Sequence, residues 1–442
     1  MAAILRQPAS GIRVFTIIWL GQLVSKLGSG LTSFALGVWI YEQTDSATLF
    51  AFSMLAYSLP FVLALPFAGV LTDRWDRRKV MMLSDSGAGL ASLFIVLILA
   101  AGELQIWQVF LAIFFNSAFS AFQWPALSAA TSLLVPKEQL GRASGMTQGT
   151  EAVSQLAAPA IAGAVYVVAG LPAILAIDVT TYIFAMLTLV AVRFPQPEPV
   201  SAVEGKQPGD NPGFWREITF GWHYIRQRKG LFGLLVIFAS MNFLLSLVWP
   251  LLTPMLLDLS APDVTGLVHS AGGMGMLAGT LLMAAWGGPK RRIAGIIAAE
   301  ALTALAALLL GLRPAILTVA AGLFGIMFTQ PVSNGCSQAI WQTKVAPGVQ
   351  GRVFSIRSTI AFSIIPLAYA LSGPLAERVF MPWLESGAPL ANAYMAIAGT
   401  GPGRNIGVMW LLAGGLYFLL AMGILLYKPT RNVERVLPDA VS

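Results

Sequence analysis

One base and four acids stand inside, or at the edge of, stretches otherwise built from apolar residues: Lys26, Asp85, Glu151, Asp178 and Glu300. A charge held in such surroundings is costly and persists where it faces water, pairs, or carries a proton. Protonation neutralises a carboxylate, so acids placed this way are candidates for proton carriage. Lys26 lies near the middle of the apolar run Val14–Ile40. An ammonium at that depth costs roughly 2.5–3.5 kcal/mol on insertion scales, and its stem does not reach either surface. It therefore calls for a wet face or a carboxylate, and Glu151 is a candidate partner. Lys26, Glu151, Asp178 and Glu300 form the set of candidate coupling residues. For Asp178, expected in the outer half of its span, bonding to a neighbouring helix is the first expectation. Asp85 is expected to be solvated or to pair with the bases just before it, Arg77 and Arg78.

The elements that must position these charges are membrane spans. Of 442 residues 57% are hydrophobic and 11% charged, against roughly 25% charged in soluble domains. Apolar runs of spanning length, about 20 residues, recur from end to end. Twelve are read, among them Val14–Ile40, Val80–Ala101, Trp107–Leu134, Ala315–Trp341 and Val353–Leu375. Gly170-Leu171-Pro172 is a tight joint between the fifth and sixth. With the N-terminus inside, nearly all of the 27 Lys and Arg fall in segments on the cytoplasmic side, Arg352 and Arg357 counted among them; Arg313, Arg378 and Arg404 do not. Both termini are accordingly expected in the cytoplasm. The net charge of +7 is explained by anionic lipid at the inner face rather than by nucleic acid. The polar start, Met1 to Arg13, carries no cleavage signature, and the first span is expected to act as an uncleaved signal.

The spans divide six and six: residues 1–192, a linker over 193–230, and residues 231–442. The linker begins with a Pro- and Gly-rich stretch read as flexible. It ends with Trp215, Ile218, Trp222 and Ile225 on one helical face, fitting either the membrane surface or the protein's own helix ends. Gly141-Arg142 after the fourth span is echoed by Gly351-Arg352 after the tenth. The echo predicts an all-α polytopic membrane protein of twelve transmembrane helices in two six-helix bundles, with a substrate path between them.

Enzyme chemistry finds little support. His223 and His269 are the two histidines and lie far apart, and no metal-ligand spacing or phosphate-binding glycine loop occurs. Cys336 is single, which excludes an internal disulfide. No cofactor or metal is expected.

The loop Gly69-Val70-Leu71-Thr72-Asp73-Arg74-Trp75-Asp76-Arg77-Arg78 is too charged for hydrocarbon and marks a turn between two spans. Its pattern, through Gly69, Leu71, Asp73, Arg74, Arg77 and Arg78, resembles the loop between helices two and three of the major facilitator superfamily, with Asp76 where that family usually has Gly. A charge network around Asp73 is expected there. Ser154, Ala158, Pro159, Ala162 and Gly163 resemble the family's antiporter helix motif with three glycines replaced. They read equally as a small-residue packing face. Ile177-Asp178-x-x-Thr181-Tyr182, Arg142-Ala143-Ser144-Gly145 and Gly399-Thr400-Gly401-Pro402-Gly403-Arg404 resemble the branch of macrolide-efflux-like drug:proton antiporters, which includes enterobactin-exporter-like proteins. The family's Arg in the fourth span is missing here.

The resemblance implies a fold in which spans one, four, seven and ten line a cavity. They would contribute Gln22, Lys26, Asn116, Gln123, Asn242, Trp249, Asn334 and Gln338 to an otherwise greasy, aromatic wall. Such a wall suits an amphipathic organic compound rather than a sugar or small ion. The implied activity is proton-coupled efflux by alternating access in the plasma membrane, from a monomer. A siderophore or lipid exporter is the alternative on the same scaffold. A multi-span enzyme or a receptor is a more distant one.

Overall fold

A computed structural model describes residues 11–135, 139–192, 214–312, 315–346 and 349–438. Among them every regular element is helical. In the first part of the chain these are α1 (Gly11–Thr44), α2 (Ala47–Arg74), α3 (Arg77–Ala101), α4 (Ile106–Ser120), α5 (Gln123–Leu134), α6 (Leu140–Ala191) and α7 (Phe214–Gln227). There follow α8 (Lys229–Val248), α9 (Leu252–Leu257), α10 (Pro262–Trp286), α11 (Arg292–Leu312), α12 (Ile316–Lys344), α13 (Gln350–Ser363) and α14 (Ile365–Leu375). The chain closes with α15 (Met381–Glu385), α16 (Pro389–Ala398), α17 (Arg404–Leu426), α18 (Lys428–Arg431) and α19 (Val433–Val436).

Eleven helical stretches among the described residues are long and apolar enough to cross a bilayer. The one over Gly145–Ala191 has 47 residues, about twice the length one crossing needs. It is interrupted at Gly170, with φ 70° and ψ −175°, a conformation open to glycine because it lacks a Cβ. The expected joint of the fifth and sixth spans is thus a single glycine, and the twelve crossings are present.

Proline shapes three other spans. Pro125, Pro250 and Pro366 follow closely on the breaks between α4 and α5, between α8 and α9, and between α13 and α14. Each lacks the N–H that would continue the helical ladder, and its ring crowds the preceding turn. The eleventh span also runs further than its expected end at Leu375. Beyond α14 a π turn over Ala376–Phe380 leads into α15, and Met381 N–H bonds back to Ala376 O. Pro382 follows at once, and a wide turn before it eases the clash a proline imposes.

The chain forms two compact units. The first comprises residues 1–201 with 261–270, the second residues 202–260 with 271–442. In the first unit α1 lies along α6, and α3 packs on α4 and α6. Its core holds Leu31, Ile40, Val109 and Leu175 at one level and Phe15, Met81 and Leu189 at another. In the second unit α11 packs on α12 and α17, and α8 on α14 and α17. Leu231, Leu234, Ile296, Ile340 and Trp341 fill its core. Ile225 of α7 is buried in that same cluster. The described part of the linker helix therefore packs on the protein through Ile225, while Trp222, its ring edge-on to Phe232, stays 38% exposed. The side chains of Trp215 and Ile218, and residues 193–213, lie outside the described set.

Candidate functional site

In the first unit Lys26 Nζ forms an ion pair with Glu151 Oε2, joining α1 to α6. Gln155 Nε2 donates to the other Glu151 oxygen at 3.2 Å, one turn along α6. The two charged side chains remain 49% and 43% exposed. An exposed ion pair in a membrane-spanning segment needs water rather than hydrocarbon, so this is the wet face of the unit. Close approach of the two helices makes the pair possible. A Cβ built on Gly30 would stand 2.8 Å from Ala158 Cβ. Gly28 and Gly30 thus do not loosen α1, which stays continuous; they seat it on α6.

Asp178 of α6 is buried. It accepts from Ser92 Oγ at 2.6 Å and from Ser29 Oγ at 3.4 Å. One carboxyl thereby ties α3 and α1 to α6. Asp85 differs from its expectation. It is 6% exposed and accepts from Gln22 Nε2 at 2.9 Å, while Gln123 Nε2 donates to Gln22 Oε1. The reason is rotation: Asp85 turns into the unit, on the face that carries Met81 and Ser84, away from the loop. Arg78 is used elsewhere, its Nε and Nη2 each 2.8 Å from the carbonyls of Leu189 and Val190 at the end of α6. Asn116 makes long contacts of 3.5 Å to Ala88 O and 3.4 Å to Ser120 Oγ. Arg77 lies in the first turn of α3. Gly69 lies within α2, and the side chains of Leu71, Asp73 and Arg74 lie outside the described set, as do those of Trp124, Arg142 and Arg352.

The small residues of α6 meet two neighbours. Ser154 Oγ donates to Lys26 O at 3.4 Å, and Ala158 and Ala162 are buried in the core with Leu31 and Ala35. On the adjoining face, a Cβ on Gly163 would meet Pro262 O at 2.5 Å and Asp263 Cα at 2.9 Å, both in the segment 261–270 that groups with this unit. Pro159 is held within the helix.

The second unit holds a cavity of about 290 Å³. Asn242, Asn334 and Gln338 line it together with Trp341, Phe354 and Arg357. Trp249 stands instead at the 3₁₀ turn Trp249–Leu251 beside Pro250. Arg357 was not expected here: counting bases by position assigns it to a cytoplasmic segment, whereas α13 carries it about 10 Å along the helix from Gln350. Its Nη1 donates to Gln338 Oε1 at 3.0 Å. Glu300 is buried apart from this cavity wall, accepting from Ser333 Oγ and Tyr417 OH. No group of His, Cys, Asp and Glu among the described residues has the arrangement to hold a metal ion.

A model of the Major Facilitator Superfamily matches residues 18–370. The chain belongs to that family. Members of this superfamily are multi-pass membrane transporters, and the chain is therefore a transporter rather than an enzyme. Macrolide efflux protein A of Streptococcus pyogenes is 32% identical over 372 residues, covering 83% of this chain and 90% of that protein. Enterobactin exporter EntS of Shigella boydii is 28% identical over 149 residues, 34% of this chain and 36% of that one. Among solved structures, a bacterial homologue of the human lysosomal transporter Spinster, in an inward-facing and unoccupied conformation, superposes with a TM-score of 0.66. It is 14% identical and the match covers 95% of this chain and 98% of that one; it shares the fold.

Proposed function

We propose that this transporter exports an amphipathic organic compound of the macrolide type, and that proton entry drives it. Similarity to macrolide efflux protein A over most of both chains supports the direction and the cargo class. The half-exposed pair of Lys26 and Glu151 is the observation that carries the coupling. A proton arriving at Glu151 removes the carboxylate that holds Lys26, and the pair opens. Asp178 and Glu300 remain further coupling candidates. Gln22, Lys26, Asn116 and Gln123 on the first unit, and Asn242, Trp249, Asn334 and Gln338 on the second, are the polar groups proposed to meet substrate as access alternates. Both termini face the cytoplasm in this reading. The bases near Arg78 and in the linker rest on anionic lipid, and the working unit is a monomer. The 1–192 and 231–442 bundles move as the two halves.

The test is accumulation of a macrolide in an efflux-deficient host, with and without an uncoupler. Expression should lower accumulation, and the uncoupler should restore it. Unchanged accumulation overturns export of this cargo. Export that persists in full with the uncoupler present overturns proton coupling.

A further inference from the structure

Arg357 gives the cavity of the second unit a chemical preference. Its guanidinium carbon lies 5.1 Å from the centre of the Trp341 ring. Nη1 is bonded to Gln338 Oε1 at 3.0 Å, and Nη2 comes to 3.5 Å of Ser337 Oγ. Arg357 lines the cavity, and among the described residues no carboxylate lies within ion-pair distance of it. Glu300, a buried acid of the same unit, is engaged by Ser333 and Tyr417. A guanidinium has five N–H donors and stays charged at any physiological pH. Two are directed at neutral oxygens, and the rest, with the whole charge, lack an anionic partner among the described residues. Keeping a cation in a partly apolar wall is costly. An arriving carboxylate would offset that cost with a charge-assisted pair, in the forked geometry that arginine favours.

The rest of the wall narrows the ligand. Trp341 holds the guanidinium in place from one side, and Phe238, Phe354 and Phe362 offer flat apolar surface around the same space. Asn242 and Asn334 supply neutral hydrogen-bonding groups at its edge. The volume of about 290 Å³ is at the lower end for a small-molecule site, roughly 300–1,000 Å³. It holds one or two fused rings, not a whole macrocycle.

We propose that this cavity binds an aromatic ring bearing a carboxylate, a cargo class distinct from macrocyclic lactones, with Arg357 as the residue that selects it. The proposal goes beyond the macrolide reading and rests on the export reading only for calling the ligand cargo.

The test is equilibrium dialysis of the full chain in discs of neutral phosphatidylcholine, where no anionic lipid competes. The probes are 2-naphthoate and its uncharged isostere, 2-naphthamide. Naphthoate should bind at least tenfold more tightly than naphthamide. In Arg357→Gln that preference should vanish while naphthamide binding stays. Gln338→Glu plants a carboxylate on the atom that Nη1 already contacts, so it should remove the preference with Arg357 still present. Equal binding of the two probes by the unaltered protein overturns the proposal, as does a preference that survives in either variant. Dialysis reads binding alone. Lost binding with export intact overturns this inference, whereas binding intact without export overturns the export reading.

Discussion

The phenol of Tyr417 donates to Glu300 at 2.6 Å, joining α17 to α11 through a carboxyl that solvent does not reach. Ser333 of α12 donates to the other oxygen. Thr303 and Thr329 meet one turn away, their hydroxyls 2.5 Å apart. The three longest-packed helices of the second unit are therefore joined by hydrogen bonds as well as by apolar contact. Hydrogen bonds in a membrane interior average below 1 kcal/mol in measured cycles, but a buried acid stripped of a donor costs more. Tyr417→Phe should lower stability by about 1–3 kcal/mol, read as an earlier thermal transition in detergent. An unchanged transition would show that the bond contributes nothing.

For the pair of Lys26 and Glu151, the double change separates a structural clamp from a coupling role. Lys26→Met and Glu151→Gln each leave one charge without its partner. Each should reduce efflux at least tenfold at matched membrane levels. If the pair were only a structural clamp, Lys26→Met combined with Glu151→Gln should recover transport along with folding. A coupling role predicts that the double variant folds normally and still fails to respond to the proton gradient. Full transport by Lys26→Met at every pH would remove Lys26 from the mechanism.

Asp178 is held by two serines from two other helices, and its first consequence should be for packing. Asp178→Asn should lower thermal stability by about 1–2 kcal/mol, because an amide cannot accept both hydroxyls on equal terms. Substrate exchange should persist. Exchange that persists while pH-driven accumulation disappears would instead give Asp178 a part in coupling.

Arg78 spans two successive carbonyls at the C-terminal end of α6, where a cation also meets the negative end of the helix. Lysine carries the charge but lacks the fork. Arg78→Lys should cost about 1 kcal/mol and Arg78→Ala about 2 kcal/mol in stability. Equal transitions for all three proteins would sink this assignment.

What could be foreseen follows from which physical quantities a sequence carries. Span number and the joint at Gly170-Leu171-Pro172 follow from hydropathy and backbone chemistry, which are local. The partnership of Lys26 and Glu151 was open to inference because a mid-span ammonium has few ways to be satisfied. The burial of Asp85 against Gln22 was not, since it depends on how far a helix rotates about its axis. Arg357 was hidden by the same limit. A base near a span end counts as cytoplasmic by position, yet its stem can turn along the helix into a cavity. The extension of the eleventh span past Leu375 escaped because Pro374 and Pro382 look like terminators, and a π turn carries the helix between them.

The last helices of the chain bear on an earlier part of it. Glu434 Oε1 and Oε2 accept the amide hydrogens of Arg292 and Ile293, at 2.9 and 3.1 Å, at the start of α11. Lys344, at the end of α12, donates to the carbonyls of Glu434 and Leu437 at 2.6 Å each. Glu434 comes 142 residues after Arg292. At ribosomal speeds of about 5–20 residues per second, roughly 7–28 s separate the synthesis of these partners. During that interval the first amides of α11 must be satisfied by water or lipid headgroups. The second unit therefore closes only once Glu434 has been made, and a ribosome stalled before Glu434 holds a bundle whose helices are inserted but whose ends are still open.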